Sequence, residues 1–431
     1  MLRREILQKL EEWKNFNTHK CLIVQGARQI GKTYIIKYFG KTNYENFIEL
    51  NFVENPSFCK IFDGDLDMTT ILANFSLYTQ FSSKLVPNKT LIFLDEIQAC
   101  PNARTALKFF AIDKRFDVIA SGSLLGISYE KVASYPTGYV DFLNMYPLSF
   151  KEFLWANNVS DDVITIINKC FIKHEKVNDA MNLKLLELFK QYIVIGGMPE
   201  AVNDFVNNHN YENVLKIQRN ILIDYQNDIA KYAESTEKVK ARACFLSIPA
   251  QLSKENKKFM YSVVEKNSKS KKYLGSINWL VDAGIVNMCV NLTTLSLPLV
   301  VYAENDYFKL YMADTGLLVA MLDDGTNAQI IDDDIGIFKG AIFENIVAQI
   351  LTANHNKLYF YTKNNSLELD FVLSKNGKIV PIEVKASNNK AKSLALTLKQ
   401  NPDMTGIKLV YGNVGVKENL LTLPIYMVMF L

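Results

Sequence analysis

The octapeptide GARQIGKT (Gly26–Thr33) sits between the apolar run CLIVQ (Cys21–Gln25) and TYIIKYFG, whose apolar residues recur at helical spacing. It matches G-x-x-x-x-G-K-[ST] at Gly26, Gly31, Lys32 and Thr33. Strand, glycine-rich turn and helix in this order commit the chain to a parallel α/β sheet with an anion site at a strand's carboxyl end. Glycine lets the backbone turn tightly enough to aim its N–H groups at phosphate oxygens. Lys32 would bring positive charge to the β- and γ-phosphates, and the Thr33 hydroxyl would be a Mg²⁺ ligand. The expected ATP-binding stretch is therefore Gly26, Ala27, Arg28, Gln29, Ile30, Gly31, Lys32, Thr33 and Tyr34. Arg28 reads equally as a phosphate contact and as a surface charge.

A phosphate loop of this kind needs acidic partners. TLIFLDEIQ (Thr90–Gln98) is a buried-strand pattern ending in two acids. Asp95 is placed to hold the magnesium shell, and Glu96 to polarise the attacking water as general base. A third strand, FDVIASGS (Phe116–Ser123), ends in small hydroxyl residues. Ser121 or Ser123 would lie between the acids and the γ-phosphate, or else belong to a serine-rich turn capping the next helix. With FIELNF (Phe47–Phe52) and YVDFLNMYPLSF (Tyr139–Phe150) this makes five strands separated by helical segments. The fold class is thus α/β: a P-loop doubly wound parallel sheet, covered on both faces.

At 431 residues the chain has length for further domains. Residues 1–155 read as the ATPase core and 156–235 as a helical lid, with FLWANNV, VITIINKCFIKH and LKLLELFKQYIVIGGMPEAVNDFV in helical period. GGMPE (Gly196–Glu200) is a helix stop followed by a new helix start. Residues 236–300 read as a winged helix-turn-helix, in which two helical stretches precede the strand-like VNMCVNL. Lys254–Lys272 holds seven lysines and two glutamates, a charge excess that would attract DNA phosphates or else form a solvated loop.

Residues 301–431 carry a second set of acids. Glu344 lies early in the helical FENIVAQIL. Asp370 opens one strand-like run, and Glu383 and Lys385 share a face of the next, across the turn SKNG. Three carboxylates converging beside a lysine form a metal-nuclease arrangement, with Glu344, Asp370 and Glu383 as Mg²⁺ ligands and Lys385 orienting the water. The bland reading is a row of salt bridges on an edge strand.

Composition narrows the class. Hydrophobic residues are 49% and charged residues 22%, as in soluble globular proteins, and no apolar run spans a bilayer. The charged, helical start MLRREILQKLEEWK is unlike a secretory signal. Six scattered cysteines (Cys21, Cys59, Cys100, Cys170, Cys244, Cys289) suggest reduced thiols and a cytoplasmic setting. His19, His174, His209 and His355 are too dispersed for a metal cluster. A net charge of +3 does not by itself argue for nucleic acid.

GARQIGKT, LIFLDEIQ, ASGS, YPLSFKEFL, GGMPEAV and FKLYMADTGLL, in this order, resemble the prokaryotic AAA+-like ATPases with a C-terminal restriction-endonuclease-like, PD-(D/E)xK domain. The resemblance runs the length of the chain. It implies ATP binding and hydrolysis by the core, with Glu344 matching the helical acid of the nuclease superfamily. One departure stands out. Where relatives resemble a small-Gly-Arg or Gly-Lys segment before PLSF, this chain has PTGYV, with Tyr139 at the basic position. Arg104, Arg115, Arg219 and Arg242 then remain as candidates for the arginine near the nucleotide. Three functions follow as expectations: an ATPase acting with DNA, a slow ATP-dependent switch contacting protein or further copies of itself, and an ATP-gated metal nuclease.

Overall fold

The computed structural model describes residues 2–16, 20–78, 81, 83–123, 138–232, 235–266, 272–332, 334, 336–363, 367–385 and 391–431. They form two compact units: Arg4–Tyr146, and Pro147–Leu431 with Leu2 and Arg3.

In the first unit β1 (Cys21–Gly26), β2 (Asn46–Asn51), β3 (Thr90–Asp95), β4 (Asp117–Ser123) and β5 (Val140–Asn144) form one sheet in the order β2-β3-β4-β1-β5. Every pairing is parallel. All six residues of β3 are buried, because helices cover both faces of a central parallel strand. Leu91, Ile92, Phe93 and Leu94 each contribute about 1.5–3 kcal/mol by leaving water. The helix Lys32–Asn43 buries Ile35, Ile36 and Phe39. Phe52, Phe62 and Phe75 join Ile92 and Leu94 in one buried cluster through edge-on ring contacts. The register aligns the strands' carboxyl ends: Gly26 lies beside Ser123, and Asn51 beside Asp95.

The second unit begins with helices Phe150–Ala156, Asp161–Lys173, Asp179–Ile195, Pro199–Asn208 and Tyr211–Tyr232. Ser149 and Glu152 form a reciprocal cap on the first of these. Helices Ser235–Leu252 and Leu274–Asp282 pack together ahead of β6 (Val286–Leu292). β6 pairs antiparallel with β7 (Ala303–Met312). The pair is no free ribbon of the kind expected of a wing. β6 also pairs with β8 (Tyr359–Lys363), which pairs with β9 (Leu367–Leu369), so the sheet runs β7-β6-β8-β9 across position 300.

A third sheet orders β10 (Phe371–Lys375), β11 (Lys378–Lys385), β12 (Gly406–Val410), β14 (Leu420–Pro424) and β13 (Gly415–Lys417). It is mixed: β11, β12 and β14 run parallel, and the outer pairs antiparallel. Asn376 and Gly377 both have positive φ, 51° and 71°. That is the two-residue turn whose twist matches a hairpin, so SKNG does form the turn expected of it.

Three sequence motifs meet in one buried joint of this unit. The Gly197 N–H donates to Asp314 Oδ2 at 2.6 Å, and Leu148 N–H donates to Gly197 O at 2.6 Å. Gly196 has φ 72°, and a Cβ there would lie 2.1 Å from Asp314 Oδ1. Gly316 is equally confined, with Gly196 N and Gln218 Nε2 each 2.6 Å from where its Cβ would be. The Tyr192 hydroxyl donates to Leu148 O and accepts from Gln349 Nε2. PLSF, GGMPE and ADTG therefore come together as interlocking backbone.

Candidate nucleotide-binding site

Sequence sets the loop geometry locally. Gly26 has φ 151°, Gln29 63° and Gly31 90°. A Cβ on Gly26 would lie 2.2 Å from Met145 O, so glycine is the residue that fits. Gly31 is the left-handed cap from which the helix Lys32–Asn43 starts, directing its N-terminal amides back at the loop.

Lys32 is buried, at 8% exposure, and its Nζ donates to Ala27 O at 2.7 Å and Gly26 O at 3.1 Å. Burial pushes its ammonium down to about 8, with Glu96 and Asp95 opposing the shift and Arg28 adding to it. The loop thus folds around a cation held close to two acids. Arg28 is half-buried, and Gln29 and Tyr34 are exposed.

Asp95 collects the other contacts. The Thr33 hydroxyl donates to its Oδ2 at 3.0 Å and reaches Oδ1 at 3.3 Å. Ser121 donates to Oδ1, as does the Glu96 N–H at 3.1 Å. Burial raises the Asp95 carboxyl above its ordinary value, with the Ser121 bond as the largest opposing influence. Ser121 is therefore the β4 residue on the acid, while Ser123 pairs its backbone with Gly26. Glu96 is half-buried and adopts a left-handed backbone, φ 53° and ψ 47°. Its Oε2 accepts from Gln98 Nε2.

Three residues were not singled out by sequence. Asn51 donates to Asp95 Oδ2 at 3.3 Å while its Oδ1 caps Val53 N–H and Glu54 N–H. Arg4 donates to Ile30 O at 3.0 Å and Tyr146 O at 2.7 Å, clamping the loop's crest. Gln98 donates to Glu96 Oε2. A polar residue at the end of β2 was the available signal for Asn51; Arg4 carried none.

The candidate arginines are otherwise engaged. Arg115 pairs with Asp113, Arg219 with Asp324, and Arg242 donates to Gln226. Arg104 is buried in the helix Pro101–Asp113. Tyr139 lies under the Lys108 ammonium, 5.5 Å from the ring centre.

The second set of acids lies beside lysines. Among the described residues no three His, Cys, Asp or Glu side chains group as a metal set. Glu344, Asp370 and Glu383 each have partners within the chain. Lys257 pairs with Glu344 Oε1 at 2.6 Å, and Lys309 lies 3.6 Å from its Oε2. The Tyr311 hydroxyl donates to the same oxygen at 3.0 Å. Asp370 accepts from Val384 N–H, and Glu383 from Leu394 N–H and the Lys385 ammonium at 2.7 Å. Burial favours a neutral Glu344, yet Lys257 and Lys309 outweigh it and hold the carboxyl below its usual range. Asp370, with Glu344 nearby, is pushed up to about 7, chiefly by burial. Ammonium groups supply the positive charge here.

Comparison with known proteins agrees with the first unit's geometry. Residues 18–154 match the family described as an AAA domain. Residues 186–328 and 339–425 match two families described as domains of unknown function, DUF8612 and DUF4143. An uncharacterized protein of Methanocaldococcus jannaschii is 23% identical, covering 93% of this chain and 84% of its own length. An uncharacterized protein of Haemophilus influenzae is 21% identical over 46% of this chain and 48% of its own. Among solved structures, a Walker-type ATPase of Pyrococcus abyssi aligns at TM-score 0.43 and 11% identity, over 74% of this chain and 96% of that one. The ORC1 protein of Aeropyrum pernix, in complex with DNA, aligns at 0.29 and 13%, over 78% and 93%. The matched segment, the phosphate loop and the five-stranded parallel sheet define the first unit as an AAA-like P-loop domain.

Proposed function

We propose that this domain binds ATP with Mg²⁺ and hydrolyses the γ-phosphoryl bond. The observation that carries the reading is the contact between Thr33 and Asp95, which joins the phosphate loop to β3 beside a buried Lys32. A hydroxyl and a single carboxylate suit Mg²⁺, which keeps several waters and takes its remaining ligands from substrate phosphates. That donor set fits without a three-acid cluster. Bound there, Mg²⁺ would neutralise charge on the β- and γ-phosphates.

The chain's own residues then divide the work. Backbone N–H groups of Gly26–Thr33 and the Lys32 ammonium hold the phosphates. Asn51 and Ser121 orient Asp95 through their hydrogen bonds. Glu96 takes a proton from water as its oxygen bonds to the γ-phosphorus and the bond to the bridging oxygen breaks, releasing ADP and phosphate.

Calorimetry and a phosphate-release assay test this. Lys32→Ala is expected to abolish the heat of ATP binding, whereas Glu96→Gln keeps binding and loses turnover by about 10²-fold or more. Full turnover in Glu96→Gln removes Glu96 as the base; no binding by folded wild type removes the whole reading.

For the rest of the chain, a nucleotide-dependent switch is better supported than a DNA grip. Lys257, Lys258 and Lys272 of the basic stretch are engaged internally, with Glu344, the Tyr307 ring and Glu265. No metal-dependent cleavage is assigned to the Glu344 cluster.

A further inference from the structure

Gln98 touches the site from an unexpected direction. Two residues after Asp95 the chain has already turned, because Glu96 takes the left-handed conformation before a short 3₁₀ segment, Ile97–Ala99. Non-glycine residues adopt that conformation at a cost, and it persists where the surroundings over-determine it. Here the turn brings the Gln98 amide back onto the side chain of Glu96, and Nε2 donates to Oε2. A carboxylate can only accept, so the amide must present its N–H₂ to Glu96.

The other end of the amide is held by shape. Gln98 Oε1 is buried with no hydrogen-bond partner among the described residues. It lies against β4 at Gly122, where an added Cβ would be 2.6 Å away. The orientation is thus maintained by the bond to Glu96 and by the seat against Gly122. β4 thereby supports both acids: Ser121 bonds to Asp95, and the next residue, Gly122, seats the amide that bonds to Glu96.

We propose that Gln98 is a positioning residue for hydrolysis, its amide fixing one Glu96 oxygen so that the other takes the proton of the attacking water. This rests on the reading of Glu96 as general base. A neutral amide suits the task. It orders a side chain with three rotatable bonds yet adds no full positive charge, which would weaken the base far more.

The test uses the full chain, with steady-state ATP hydrolysis and ATP binding by calorimetry. Gln98→Leu and Gln98→Met keep roughly the side chain's volume and remove its donor. Both are expected to lower kcat by about 10-fold while KM and ATP affinity stay within about twofold. Glu96→Asp withdraws the carboxylate from the amide, so adding Gln98→Leu to it should cost less than about twofold more. A merely structural glutamine would not give this pattern. If Gln98→Leu does not fold, Gln98→Met carries the test. Unchanged kcat in the Gln98 variants, or an undiminished loss in the Glu96→Asp background, overturns the proposal. Glu96→Gln separates the two ideas: if it stays fully active, the base assignment falls and Gln98 with it. If it is inactive while Gln98 variants are not, Gln98 alone is rejected.

Discussion

Asp314 shows what one sealed carboxylate does to a structure. Both of its oxygens accept backbone N–H groups, from Gly197 at 2.6 Å and Leu317 at 3.0 Å. Burial nevertheless dominates and pushes it up to about 6. A folded value above the unfolded one means that its contribution is fully present in acid and is lost as pH rises through about 6. Asp314→Asn keeps the shape but sets an amide N–H₂ against a backbone N–H. We expect it to lower stability near neutral pH by about 1–3 kcal/mol. The gap between wild type and variant should widen as pH falls toward the ordinary carboxylate range. Urea unfolding across pH measures both; a gap independent of pH would reject the burial argument. The sequence marked GGMPE and ADTG separately. It did not show that they touch, since 117 residues separate Gly197 from Asp314.

Among elements, those specified by near neighbours were legible. β1 with its phosphate loop, β3 with its terminal acids, and the β10–β11 hairpin with Asn376 and Gly377 all follow from short patterns. The Glu344 cluster was not, because its members come from a loop (Lys257), a strand (Lys309 of β7) and the helix Lys339–Ala353. A lysine counted as part of a charged stretch turned out to be an internal partner. Lys309 is fully buried and keeps Glu368 at 2.5 Å, so taking away Glu344 removes its second carboxylate and leaves Lys257 without its own. Glu344→Ala should therefore cost about 3–5 kcal/mol in urea unfolding. A cost below about 1 kcal/mol would show that Glu368 alone satisfies Lys309.

At the scale of the whole molecule, net charge gives no argument for strong attachment to nucleic acid. Net charge is +3, and three lysines of the basic stretch have internal partners. DNA affinity is expected to be weak, with a log–log salt slope no steeper than about −2. A steep slope that charge reversal at Lys254 and Lys266 flattens would restore a DNA-gripping role. The first unit is drawn from one continuous stretch, Arg4–Tyr146. The second is closed by its extremes: Tyr426 donates to Asn182 Oδ1 at 2.8 Å, Tyr411 to Leu186 O at 2.6 Å, and Asn413 brackets Val177. Asn182 and Tyr426 lie 244 residues apart. A ribosome adding about 5–20 residues per second delivers the tyrosine roughly 10–50 s after the asparagine. Through that interval the helix Asp179–Ile195 lacks the cover that the 425–430 segment gives it, while every residue of the phosphate-loop domain has already been made.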